Sequence, residues 1–212
     1  MTSITLGGNT YNLIPLPTCK GPSDISLGMS DGVAVVPSPF VPSQMQTQAW
    51  AGADAWDIQA TLPPLTNTQA ADWEGFLAEL RGQLNVFQMG DPRRKGPLGS
   101  ASGVPIAAGG NAALSNNLLT TGWTHSIARI LLRGDMLQVG YRLHRVCETV
   151  NSDSSGNCTI PVWPALREVP ASSAPIILHN PVGVFRLSKN RRESQASRER
   201  LTTLSFSAIE VR

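Results

Sequence analysis

Residues 56–89 read WDIQATLPPLTNTQAADWEGFLAELRGQLNVFQM, and two hydrophobic periods meet in them. Trp56, Ile58, Ala60 and Leu62 alternate with Asp57, Gln59 and Thr61, the pattern of a strand with one wet face. Pro63-Pro64 ends it. Thr66 and Gln69 have the spacing of a capping box, and Trp73, Phe76, Leu77 and Leu80 then fall on one face at helical spacing. Asp72, Glu74 and Glu79 lie outside that stripe, and Gly82 supplies a C-terminal stop. Alternation resumes over residues 83–89 and stops at Gly90-Asp91-Pro92. The spacing predicts strand, helix over 67–81, strand, with the aromatic stripe as core.

The rest of the chain reads as β. Residues 4–17 form a hairpin or strand pair around the turn Gly7-Gly8-Asn9, and 32–36 form an apolar strand running into Pro37, Pro39 and Pro42. Prolines lack amide donors, so that piece is expected to be an edge or an extended connector. Residues 97–117 are rich in Gly, Ala and Ser and read as a long loop. From 118 to 167 the pattern is strands: WTHSIARILL as one, MLQVG and YRLHRVCETV next, then the turn NSDSSGN and the return CTIPVWPAL. The last third adds APIILHNPVGVFRL and LTTLSFSAIEVR, the latter with Leu204, Phe206, Ala208 and Val211 inward. The expected fold is mainly β: a β-barrel or β-sandwich with one packed helix, plus a second β domain. The first domain is assigned to 1–96, with 201–212 returning to complete it, and the second to 97–200.

Composition narrows the function classes. Hydrophobic residues make up 41% and charged residues 15%, which allows a packed core. A net charge of +2 does not by itself imply nucleic acid. The N-terminus has no secretory pattern and no apolar run reaches membrane-spanning length. The three cysteines, Cys19, Cys147 and Cys158, lack CxxC spacing and read as reduced thiols of a protein made in a cytoplasm.

Motifs for chemistry are missing. His125 and His144 fall in expected strands, His179 at a turn, and no Gly-x-Ser-x-Gly surrounds a serine. There is no HExxH or paired CxxC, and DSSGN at 153–157 brings one carboxylate, too few for a calcium loop. No cofactor, metal or catalytic residue is expected, and the chain is read as a non-enzyme. Arg133-Gly134-Asp135 has the letters of an integrin ligand, but its place between two strand-like runs calls for a bend. Interaction candidates are Pro37, Pro39, Pro42, the cations Arg93, Arg94 and Lys95, and Arg191 with Arg192 in the basic stretch RLSKNRRESQASRER. Trp50, Trp123 and Trp163 would form a glycan-stacking face if they shared one exposed surface.

Three blocks carry a resemblance: WDIQATLPPLTNTQAADWEGFLAELRGQLNVFQMGDP, LLRGDMLQVGYRLHRVCETVNSDSSGNCTIPVWPALR and APIILHNPVGVFRL. They are similar to segments of distal tail (baseplate) proteins of long-tailed bacteriophages, the second block most specifically. The resemblance implies a barrel or sandwich with one packed helix. It also implies a homo-oligomeric ring, usually a hexamer, in the virion, joining the tail tube to the baseplate hub and fibre proteins, with no nucleic acid or membrane as partner. The family has no active site to carry over. In such a ring the segments 37–42 and 93–117 are candidates for arms that lock onto neighbours. The alternatives are a carbohydrate- or receptor-binding module at the tail tip, or another tail subunit such as tube, terminator or hub.

Overall fold

A computed structural model of the chain describes residues 2–41, 43–191, 194–196 and 201–212. The elements run β1 (Thr2–Leu6), β2 (Asn9–Leu13), β3 (Asp24–Ser30), β4 (Val33–Pro37), β5 (Met45–Ala49), β6 (Ala55–Thr61), α1 (Asn67–Glu79) and β7 (Phe87–Met89). They continue with β8 (Gly103–Ala107), β9 (Asn117–Trp123), β10 (Met136–Val139), β11 (Arg142–Val146), β12 (Cys158–Trp163), β13 (Ile176–Ile177), β14 (Gly183–Leu187), β15 (Ser194–Ala196) and β16 (Thr202–Glu210).

Mainly β is what these residues build. One antiparallel sheet has the order β3-β6-β16-β14-β7, with β15 paired to β16. Strand β6 lies inside the sheet, between β3 and β16, and its inward residues Trp56, Ile58 and Ala60 are all buried. Helix α1 covers the same face with Trp73, Phe76 and Leu77. The Gln69 side chain accepts the Thr66 amide at 3.1 Å, so the capping reading carries into the structure. The helix ends at Glu79, two residues short of 81, with Arg81 and Gly82 already at positive φ. Edge-to-face contacts join Trp73 to Phe76, Phe76 to Phe87, and Phe87 to Phe206, at 5.6, 5.7 and 5.9 Å between ring centroids.

The second sheet has the order β13-β10-β11-β12-β9-β8. It nearly closes on itself: Ile106 bridges Pro175, and the Ala107 amide donates to the Ala174 carbonyl at 2.8 Å. Its β10–β11 hairpin is a wall between two cores. Met136 and Leu143 point into the helix-covered core, while Leu137, Val139 and Val146 point into the barrel. Hairpin β1–β2 turns at Gly7 and Gly8, both at positive φ, and joins the first sheet through a parallel bridge from Leu13 to Val86.

Several expectations are corrected. Strand β14, inside the stretch 97–200, lies in the first sheet between β16 and β7. The Gly/Ala/Ser-rich stretch is not a free arm: it contains β8, pressed so close to β9 that a Cβ on Gly122 would stand 2.4 Å from the Val104 carbonyl oxygen. WTHSIARILL is not one strand. After Trp123 the amides of Ile127 and Arg129 are taken by the side chains of Ser152 and Asn151, and Ser126 and Arg129 are at positive φ. Strand β5 was not expected at all.

Candidate interaction surface

Among the described residues strands β4 and β5 pair only with each other, from Val33↔Ala49 to Pro37↔Met45, and project as a hairpin arm. Ser38 holds its tip: the Ser38 amide donates to the Gln44 carbonyl at 2.9 Å, and its hydroxyl accepts the amides of Phe40 and Val41 at 3.3 and 3.2 Å. Val33, Val35, Val36, Val41 and Met45 are exposed, and Phe40 is 90% exposed. No charged residue occurs from 32 to 53. An isolated two-stranded ribbon is marginal in water, so this arm relies on its base.

That base is built by the barrel. The Trp163 indole donates to Asp31 at 2.8 Å, and Arg167 donates to the carbonyls of Gly52, at 2.7 Å, and Asp54. Arg167 also pairs with Glu210 at 3.0 Å, and Glu210 accepts the Trp56 amide at 3.2 Å. Both charged side chains are shielded, 9% and 2% exposed. A buried ion pair is tolerable only when further hydrogen bonds surround it, and the two carbonyls and the amide provide them. At the neck the Gly32 amide donates to Asp54 Oδ1 at 3.0 Å, and a Cβ at Gly32 would lie 2.1 Å from that of Ala53.

Beside this joint the wall strand β11 adds more buried charge. Arg142 pairs with Glu168 at 3.1 Å and donates to the Val211 carbonyl. His144 Nδ1 lies 2.9 Å from the Pro164 carbonyl. Burial drives the His144 pKa down to about 4; the Pro164 hydrogen bond opposes this, and the charges of Arg142 and Arg167 add to it. These groups line a cavity of about 250 Å³ with Leu6 of the N-terminal hairpin. Trp56 is locked here too, its indole donating to the Leu143 carbonyl at 2.9 Å and its ring meeting Trp163 edge-on at 4.6 Å.

The interaction candidates fall on three parts of the fold. Pro37 ends β4 and Pro39 lies in the tip, both exposed; Pro42 and Arg192 lie outside the described residues. Arg93 is exposed but committed: its guanidinium makes two bonds of 3.0 Å to Asp91. Burial alone would raise the Asp91 carboxyl, but the hydrogen bonds and charge of Arg93 reverse this and hold it below its usual value. Arg94 is half-buried, and the Lys95 carbonyl accepts the Asn180 amide at 2.8 Å. Arg191, exposed, lines an open groove of about 610 Å³ with Lys189 along β6 and β16.

Other motifs resolve into structure. Asp135 is fully buried and accepts the amides of Leu132, Leu98 and Gly99 at 2.8, 2.9 and 3.3 Å, with Gly134 at φ +95°. The tripeptide is therefore a bend, with no carboxylate to offer a receptor. Trp50 is exposed, Trp123 is 2% exposed, and Trp163 packs on Trp56, so the three tryptophans form no common stacking face. His125 lies in the turn after β9, not in a strand beside His144. The three cysteines are free thiols; Cys147 lies across from Pro161, and Cys158 pairs with Thr120. Burial, then the charge of Asp153, pushes the Cys158 pKa up to about 11. Asp153 caps its own turn, accepting the amides of Ser155 and Asn157, each at 2.8 Å. Among the described residues no group of three or more His, Cys, Asp or Glu could hold a metal.

The joint escaped sequence reading. Its one legible signal was register: Leu204, Phe206 and Ala208 point inward, and the next inward position of β16 is Glu210. A carboxylate there needs a buried partner.

Fold and surface together define a class: a mainly β protein of one barrel-like sheet and one helix-covered sheet, carrying an apolar hairpin arm clamped at their joint. A scan against models of known families finds no match for the chain, and a search of curated proteins finds none either.

Proposed function

We propose that the chain is a structural subunit of a bacteriophage tail, the distal ring between the tail tube and the baseplate hub and fibres. It assembles with copies of itself, six in the favoured arrangement, and works in the virion after synthesis in the host cytoplasm. The observation that carries this reading is the arm: a hairpin of uncharged residues with Phe40 and five further large apolar side chains in water. Such a surface is a liability on a monomer and a joint in an assembly. The resemblance of three sequence blocks to tail proteins supports the same reading. The second block ends at Arg167, the cation that fastens the arm to the barrel. Rotational symmetry then repeats one modest contact around a closed ring.

Native mass spectrometry of the purified chain, with imaging of particles that contain it, tests the proposal. A closed ring found at the tail's distal end is expected. A strict monomer at tens of micromolar that is absent from assembled tails would remove it, and a ring placed elsewhere in the tail would reassign it to tube, terminator or hub.

A further inference from the structure

The arm leaves one end of the first sheet. It follows β3, an edge strand, and returns into β6 beside it. The opposite edge is β7, and it is open at Gln88. Val86 spends its amide and carbonyl on Asn12 and Ile14, at 3.0 and 2.8 Å. Strand alternation turns Phe87 toward β14 and Gln88 outward again. The bond partner of Val184, the residue opposite Gln88, agrees: the Val184 carbonyl accepts the Val211 amide at 3.1 Å, on the far side of β14. After Ile14 comes Pro15, which has no amide for the ladder, and among the described residues no backbone hydrogen bond takes up the outward groups of Gln88. Beside this edge lies a groove of about 610 Å³ lined by Leu13, Ile14, Pro15 and Leu16, with Glu79 and Gln88 at its rim.

We propose that this groove receives the hairpin arm of a second copy of the chain, with Phe40 and Val41 on the wall formed by Leu13–Leu16 and one free edge of the arm along Gln88. The inference rests on the ring reading above and names its receptor. Three observations favour a second copy as the occupant. The arm and the wall Leu13–Leu16 carry no charge, and the one carboxylate lining the groove, Glu79, is exposed and can stay in water at its rim. The arm and the open edge sit at opposite ends of one sheet, so the contact is heterologous, the kind that runs around a ring instead of stopping at two subunits. The arm offers six exposed large apolar side chains. With the ribbon itself, these approach the roughly 800 Å² that a stable contact takes from one partner.

The test uses the full chain and two variants at exposed positions, Phe40→Asp on the arm and Pro15→Asp in the groove, each checked for wild-type circular dichroism. Native mass spectrometry is expected to give a ring for the wild type and monomer for each variant alone. An equimolar mixture should give a one-to-one dimer, because the intact arm of P15D fits the intact groove of F40D. A ring that survives P15D, or a mixture that stays monomeric, overturns the groove while leaving the ring reading standing. A ring that survives both F40D and the milder arm variant Val36→Ser overturns the arm. A monomeric wild type removes the ring reading itself.

Discussion

At the joint between barrel and sheet, Arg142, Arg167 and Glu210 are withdrawn from water. On the arm, Val35, Val36, Phe40 and Met45 stand in it. Charge inside and hydrocarbon outside reverses the usual partition. Each departure has its own compensation: at the joint every buried charge meets a carbonyl, an amide or an opposite charge within the chain, whereas the arm has nothing of its own to cover it. Apart from Arg167 Nε, which has no partner among the described residues, the joint is thus satisfied within one molecule, and the arm is not. That contrast predicts that damage to the joint costs folding, and damage to the arm costs assembly.

The largest effect is expected from breaking the buried pair. Arg167→Ala leaves Glu210 charged and shielded, and Glu210→Ala does the reverse, at about 3–5 kcal/mol each. Urea unfolding at neutral pH measures it, and the melting point should fall by roughly 10 °C. A cost under about 1 kcal/mol for both would mean that water reaches the joint and that the reversed partition is weaker than described.

The next effect needs no mutation. The folded pKa of His144, about 4, lies below its ordinary value, so the unfolded chain takes up this proton first. Stability is full above about pH 6.5 and declines as pH falls toward 4, by on the order of 3 kcal/mol. The depressed carboxyls of Asp91 and Asp153 act only below their ordinary values, in a more acid window. Around the ring stand Arg142, Arg167 and Glu168. His144→Asn should flatten stability between pH 6.5 and 4, read from denaturation midpoints at fixed ionic strength. An unchanged slope would place its origin elsewhere. Asp135→Asn, which weakens three amide contacts, is expected to cost about 2 kcal/mol at every neutral pH.

What could be read from the sequence follows the same division. Strand β6, helix α1 and most of β16 were legible because one of their faces meets water, so hydrophobic period and burial coincide. Strand β10 is buried on both faces, and only the structure shows Met136 and Leu137 entering different cores. The joint was illegible because a lone Arg or Glu normally marks surface, and its partner lies 43 residues away in the chain. Strand β5, MQTQA, is exposed along its whole length, so no buried face imposes a period on it. Pro37 and Pro39 did point to the arm, but as chain that cannot extend a ladder, not as the turn of a hairpin.

The smallest folding effect gives the sharpest separation of the two regions. Phe40→Ser removes a side chain that touches little of its own subunit, and Ser38 still holds the tip through the Phe40 and Val41 amides. Its cost to folding should therefore stay within about 0.5 kcal/mol. Covering an exposed phenylalanine is worth about 1.5–3 kcal/mol, so each contact between subunits should weaken by roughly 10- to 100-fold. In a closed ring that loss recurs at every joint, and the oligomer should fall apart at concentrations where the wild type holds. Unfolding must be measured on dilute monomer, because association itself raises apparent stability. If Phe40→Ser instead lowered monomer stability by 2 kcal/mol or more, the arm would be packing against its own subunit in solution, and its hydrocarbon would need no neighbour to explain it.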